Sequence, residues 1–191
     1  MIKKFFEDLF KRFSKGDSSP KPSVPVPNTT VKKPLKLDIF SPCDGVVVPQ
    51  KDIPDEGFSE THMGVGLGIK PSGSKVVCPM TGKLIVLFQT KHAYIIKDEV
   101  SGISVLLHLG INTVNIAPEL GAFSTIRKVE DELKAKDELC DMNLEVIEKE
   151  ATSTISALLV QHDEMEGKKV VLHVESGEVK KGDLLMSVVP A

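Results

Sequence analysis

The spacing of apolar positions changes character three times along the chain. In residues 1–15, apolar side chains stand at Ile2, Phe5, Phe6, Leu9, Phe10 and Phe13, the recurrence of one helix face. Lys3, Lys4, Lys11, Arg12 and Lys15, with Glu7 and Asp8, fill the rest of the circumference, which predicts an amphipathic helix over 1–15. From Gly16 to Pro34 no period survives. Pro20, Pro22, Pro25, Pro27 and Pro34 stand among Ser, Thr and Lys, the composition of a flexible tether over 16–34. Over residues 35–191, short runs of Val, Ile and Leu alternate with turns marked by Gly and Pro, about every eight to twelve residues as far as Gly110. That rhythm predicts an all-β body, an antiparallel sandwich or barrel with minor short helices.

Two stretches repeat one pattern. Ser41-Pro-Cys-Asp-Gly-Val-Val-Val and Cys78-Pro-Met-Thr-Gly-Lys-Leu-Ile each place a small residue, a proline and a glycine ahead of a strand, an internal pseudo-repeat. Gly64 to Ser74 is too rich in glycine for a helix, and no helical pattern follows it, which argues against a phosphate-cradling loop. Past Gly110 the pattern loosens. Glu130–Cys140 is charged and suits a turn of helix, while Leu144–Ala151 has a weak helical period and is the best helix candidate of the body. Ile155–Val160 and Lys169–Val174 read as strands, and Glu175–Leu185 as a hairpin closing the sheet.

The candidate chemistry is densest between Gln89 and Gly110. Two strand-like runs flank Asp98–Gly102, whose residues suit a tight turn. A hairpin centred on Val100 puts His92 directly opposite His108, with Cβ atoms roughly 4.5–5.5 Å apart. A slip of one residue would send the two rings to opposite faces. On this register Ser104, Leu106 and His108 share one face, and Ile103, Val105, Leu107 and Leu109 point to the core. Thr90 is placed to hydrogen-bond a ring nitrogen of His92 and fix its tautomer. An imidazole in such a pair can be nucleophile, ligand or proton carrier, and spacing alone leaves the three open. His62, His162 and His173 have no partner at ligand spacing, and His162 reads as solvated.

Composition narrows the class. The chain has 191 residues and 41% hydrophobic content, enough for one core. Aromatics are scarce: there is no Trp and one Tyr, and four of the eight Phe fall within residues 1–15. The net charge of −3 hides an asymmetry, because residues 1–36 hold nine Lys/Arg against three acids and the remainder fifteen against twenty-four. The acidic body argues against nucleic acid as a partner. The basic, Phe-rich 1–15 segment suits an anionic membrane surface. No apolar run is long enough to span a bilayer, and charges interrupt the N-terminus where a secretory signal would be apolar. Cys43, Cys78 and Cys140 are widely spaced, form no CxxC, and fit a reducing cytoplasm.

Two segments then become specific. Thr90-Lys-His-Ala-Tyr and Val105-Leu-Leu-His-Leu-Gly-Ile-Asn-Thr-Val114 resemble the signature strands of glucose-class enzyme IIA (EIIA), a phosphocarrier of the bacterial phosphoenolpyruvate:sugar phosphotransferase system. Ser41-Pro-x-x-Gly, Asp52-Ile-Pro-Asp-x-x-Phe58 and Gly64-x-Gly-x-Gly-Ile-Lys-Pro71 resemble that family's N-terminal half. The likeness begins near residue 37, is close to Val114 and thin beyond. It implies a fold of the duplicated hybrid motif type. It implies His108 as the phosphoacceptor, phosphorylated on its tele nitrogen, with His92 stabilising the phosphoryl group. Implied partners are HPr as donor, the cysteine of a sugar-specific IIB/IIC permease as acceptor, and regulatory targets of the unphosphorylated form. A docking rim of Asp55, Phe58, Met63, Leu106, Leu109, Asn112 and Val114 follows from the same likeness. No cofactor is required, although the resemblance admits a zinc ion held by His92 and His108 together with a partner. The expected location is the cytoplasm, peripherally at the inner face of the plasma membrane through residues 1–15.

Three departures from the family pattern stand out. Asn112 replaces an acid, Leu106 and Leu109 replace aromatics, and Glu130-Asp-Glu and Ala135-Lys-Asp replace turn glycines. Alternatives are a binding-only regulator and a zinc hydrolase using the facing histidines, which would need a third protein ligand that no HxH, HExxH or CxxC supplies. Glu175-Ser-Gly-Glu-Val-Lys-Lys-Gly-Asp is similar to the hairpins of swinging-arm carriers, but no Met-Lys-Met presents a modifiable lysine.

Overall fold

The computed structural model describes residues 36–191; the predicted helix at 1–15 and tether at 16–34 lie outside the described residues. Strands β1 (Leu37–Phe40) and β2 (Gly45–Pro49) precede one helical turn, α1 (Glu56–Ser59). Next come β3 (Val65–Pro71), β4 (Lys75–Val77), β5 (Gly82–Leu87), β6 (Ala93–Lys97) and β7 (Ser104–His108). β8 (Phe123–Ser124), β9 (Glu132–Leu133) and β10 (Glu138–Met142) lead to α2 (Leu144–Glu150). β11 (Ser156–Val160), β12 (Lys168–Leu172), β13 (Gly177–Val179) and β14 (Leu184–Pro190) complete the body.

The strands form an eight-stranded sheet, ordered β13-β2-β3-β11-β7-β6-β5-β9, and two three-stranded sheets, β1-β14-β12 and β4-β10-β8. One apolar core draws on all three: Leu67, Leu107 and Leu158 from the large sheet, Ile39 and Met186 from the first small one, Val76 and Met142 from the second. The predicted all-β architecture with minor helix is the observed one. Among the described residues no helix is long and apolar enough to cross a membrane.

The two repeated turns are hydrogen-bonded to each other. Phe40 N–H donates to the Pro79 carbonyl and Val77 N–H to the Pro42 carbonyl, both at 2.8 Å. Each turn also meets an equivalent partner downstream. Ser41 pairs its backbone with Gly182 and Asp183, as Cys78 does with Lys136 and Asp137. Gly45 and Gly82 open the strands that follow, and the reason for glycine is close approach. A Cβ on Gly45 would lie 2.3 Å from the Lys70 carbonyl oxygen, and one on Gly82 2.5 Å from that of Lys97.

Three local expectations need correction. Glu130–Cys140 holds no helix, because Glu130 and Lys136 adopt left-handed backbone (φ 78° and 76°) and break it into β9 and β10. Glu175–Leu185 is not a hairpin: β13 pairs with β2 and β14 with β1 and β12. The Lys180–Asp183 turn, held by the Asp44 carboxylate accepting from Lys181 N–H at 2.8 Å, carries the chain from one sheet to another. The third concerns the histidine hairpin and follows below.

Candidate functional site

β6 and β7 pair with Ala93, not His92, opposite His108. The connecting loop closes on Asp98 and Ile103, whose backbones pair at 2.9 Å, so an even number of residues separates the strands and Val100 is not their centre. The register is therefore one residue from the expected one. The rings meet nonetheless, with centroids 4.8 Å apart and planes at 74°. His92 precedes the first residue of β6, after a bend at Lys91 (φ 60°), so the alternation of side chains along a regular strand does not govern it. Its carbonyl accepts from Leu109 N–H at 2.7 Å, which keeps the two loop ends joined.

The sheet sets small residues beside His108. Across four strands its neighbours on the same face are Gly68, Ala157 and Ala93. Over this row of small residues the 50–64 segment lays two apolar side chains. Ile53 covers Gly68, where any Cβ would fall 3.0 Å from the Ile53 Cγ1, and the Phe58 ring stands 5.0 Å from the His108 ring. Phe88 sits 5.2 Å from the His92 ring. His108 is 4% exposed and His92 1%.

Each ring is held by its Nδ1. The His108 Nδ1 donates to the Gly110 carbonyl at 2.8 Å; a carbonyl only accepts, so the lone pair of the neutral ring is on Nε2. Gly110 turns that carbonyl back through left-handed backbone (φ 69°), and a Cβ there would strike Thr113 Cγ2 at 2.6 Å. Thr90 Oγ1 lies 2.6 Å from the His92 Nδ1, the predicted contact. Burial pushes the His108 pKa down to about 4, with the Gly110 hydrogen bond and the Asp55 charge pulling partly back. Burial, and secondarily the neighbouring His108, pushes His92 down to about 3. With both pKa values lowered by burial, both rings are neutral at pH 7, and the His108 ring is held neutral in a desolvated setting.

The expected docking rim divides. Asp55 caps α1, its carboxylate accepting from Gly57 N–H at 2.9 Å, and Met63 is half-buried beside it. Val114 is 38% exposed. Asn112 takes left-handed backbone (φ 62°) and donates from Nδ2 to Thr152 Oγ1 at 2.6 Å. Leu106 and Leu109 are fully buried, so neither presents a surface to a partner. Leu106 lies under the covered face and Leu109 belongs to the core. Phe58, 4% exposed, covers the histidine instead of standing open at an edge. Among the described residues no group of three or more His, Cys, Asp or Glu is arranged to hold a metal ion. His162, expected to be solvated, is exposed but anchored at 2.8 Å to the Thr61 carbonyl.

Sequence reasoning does not single out Phe88 or Gln50. In a body so poor in aromatics, a Phe four residues before His92 was a usable signal; for Gln50 the sequence offers none.

Comparison with known proteins decides the family. Residues 37–165 match the family described as phosphoenolpyruvate-dependent sugar phosphotransferase system, EIIA 1. The chain belongs to this EIIA family. It is 30% identical over 152 residues to a PTS system glucose-specific EIIA component of Oceanobacillus iheyensis, covering 80% of this chain and 89% of that one. A PTS system glucose-specific EIICBA component of Staphylococcus carnosus is 35% identical over 150 residues, 78% of this chain and 21% of that protein. The solved glucose permease IIA from Mycoplasma capricolum superposes with a TM-score of 0.72 at 31% identity, covering 80% of this chain and 96% of that one. Membership makes this a phosphotransfer protein of a sugar-uptake system.

Proposed function

We propose that this EIIA protein accepts a phosphoryl group from phospho-HPr on Nε2 of His108 and passes it to the cysteine of a glucose-class IIB domain. The observation that carries the reading is the neutral His108 ring, its Nδ1–H committed to the Gly110 carbonyl so that its lone pair is on Nε2, with the His92 ring 4.8 Å away. In-line attack forms the Nε2–P bond as the donor's N–P bond breaks, and the protein's contribution is positioning and charge stabilisation. The ring gains positive character as the bond forms. The Gly110 carbonyl and the Asp55 charge, which already favour that charge, stabilise it. When Thr90 donates to the His92 Nδ1, the His92 Nε2–H is directed to phosphoryl oxygens. Since His108 is 4% exposed, a docked partner moves Phe58 aside for transfer, and its return excludes water afterwards. No step is routed through a metal.

The Staphylococcus carnosus relative, named as an EIICBA, supports a IIB/IIC acceptor. Residues 35–191 are proposed as the carrier domain, with 16–34 as a tether and 1–15 as a helix holding it at the inner membrane face. The test is incubation with HPr, enzyme I and labelled phosphoenolpyruvate. Wild type takes acid-labile label, His108→Ala takes none, and His92→Gln keeps label but does not pass it on. Equal labelling of wild type and His108→Ala overturns the assignment. Partner binding by a chain that takes no label identifies a binding-only regulator instead.

A further inference from the structure

We propose that Gln50 is the positioning residue that holds the Phe58 cover over His108. Only the kinetic arm of its test rests on the phosphocarrier reading. The β2 backbone leaves the sheet at Pro49, opposite Leu67. Beyond that point β3 still presents a donor and an acceptor along the edge that β2 has left. The Gln50 side chain takes both. Gly66 N–H donates to its Oε1 at 2.8 Å, and its Nε2 donates to the Gly64 carbonyl at 2.8 Å. A primary carboxamide has the acceptor and donor of a peptide group, so the side chain continues β2 for one more rung.

The remaining N–H of the same amide reaches across to the Phe58 carbonyl, again at 2.8 Å. One planar group therefore ties the end of the sheet to the last turn of α1. That tie matters because α1 spans only Glu56–Ser59, far too short to hold itself. Its cap, Asp55, is local to it. On the other flank His162 grips the Thr61 carbonyl at 2.8 Å, beyond the helix and away from Phe58 itself. The position of the Phe58 ring, 5.0 Å from His108, thus depends on a group offering two donors and one acceptor in one plane. Glutamate has the shape but sets a carboxylate against two carbonyl oxygens. Leucine has the bulk and no polar atom.

The experiment compares the full chain with Gln50→Leu, Gln50→Glu, Phe58→Ala and the Gln50→Leu/Phe58→Ala pair. In unphosphorylated protein the His108 ring protons carry the ring-current shift of Phe58. Phe58→Ala and both Gln50 variants should lose it, whereas a purely structural role would lower the melting temperature and leave that native-state resonance in place. On phosphorylated protein, spontaneous loss of label should quicken on the order of tenfold in each single variant, because each uncovers the same ring to water; tenfold corresponds to about 1.4 kcal/mol. The double variant should lose label no faster than Phe58→Ala alone, because Gln50 acts through that ring. An unchanged His108 resonance in Gln50→Leu, or additive rates in the double variant, overturns the proposal. If no version takes label, the phosphocarrier reading fails and the resonance still decides Gln50.

Discussion

Where β2 and β5 begin, the two repeats of this fold are interchangeable. Gly45 and Gly82 each press against a lysine carbonyl on the next strand, and each preceding turn hydrogen-bonds to the other and to a downstream Asp turn. Where the same strands end, the repeats part. β2 gives way to residues 50–64, with α1, Phe58 and the Gln50 clamp; β5 gives way to residues 88–92, a short bend ending at His92. Both exits nevertheless lay a phenylalanine on a histidine, Phe58 on His108 and Phe88 on His92. The duplicated frame is held by main-chain contacts at the strand starts, and the exits carry the aromatic rings laid on the two histidines. Frame and exits can therefore be perturbed separately.

The frame should give the largest effect. Gly45→Val and Gly82→Val each force a side chain onto a backbone oxygen, and each should cost roughly 4 kcal/mol or prevent folding, read as the urea midpoint. A large cost at one glycine and a small one at the other would break the equivalence of the repeats. Next comes the histidine pair between the exits. In the unfolded chain an imidazole takes a proton near pH 6.5; in the folded chain His108 does so at about 4 and His92 at about 3. The unfolded state therefore binds more protons in that interval. Stability present in full above pH 6.5 should fall as the pH drops from 6.5 to 4, by up to ~3 kcal/mol for each ring. His108→Gln should flatten the slope by its share; a wild-type midpoint that stays level from pH 7 to 4.5 would show that the rings are wet.

The smallest effect probes how the second repeat departs from the first. Lys136 adopts a φ of 76° where its counterpart Gly182 has 88°. Its ammonium lies 4.6 Å from the centre of the Phe40 ring, a contact that glycine would forfeit. Glu130, also left-handed, offers only an exposed ion pair with Lys83 at 3.3 Å. Glu130→Gly should raise stability by about 0.5 kcal/mol, and Lys136→Gly should leave it nearly unchanged. A larger gain at Lys136 would mean that its ring contact contributes nothing.

Much of this was legible beforehand. Short Val/Ile/Leu runs between Gly and Pro turns gave the strands, because alternation and turn chemistry are local properties. The two x-Pro-x-x-Gly turns announce the repeat, and residue type alone draws attention to His92, His108 and Thr90, which the fold brings together. What was not legible depended on distant atoms. The hairpin register turned on one loop residue, and the meeting of the rings survived it only because His92 lies outside the strand. The resemblance puts Leu106 and Leu109 on a docking rim although alternation already sends Leu109 to the core, and nothing local reports that the face carrying Leu106 is covered too. β13 and β14 read as a hairpin because the Asp44 carboxylate that redirects their turn lies 137 residues away from Lys181. Gln50 was silent for the same reason, its three partners being backbone atoms on other segments.

The oxygen that fixes the His108 tautomer belongs to the peptide unit of Gly110 and to no side chain. Drift in neighbouring side chains cannot delete that anchor. A lineage abandoning the histidine's chemistry would have to alter the histidine, or replace a glycine whose substitution collides with Thr113. The most durable part of this centre is thus inherited through the main chain.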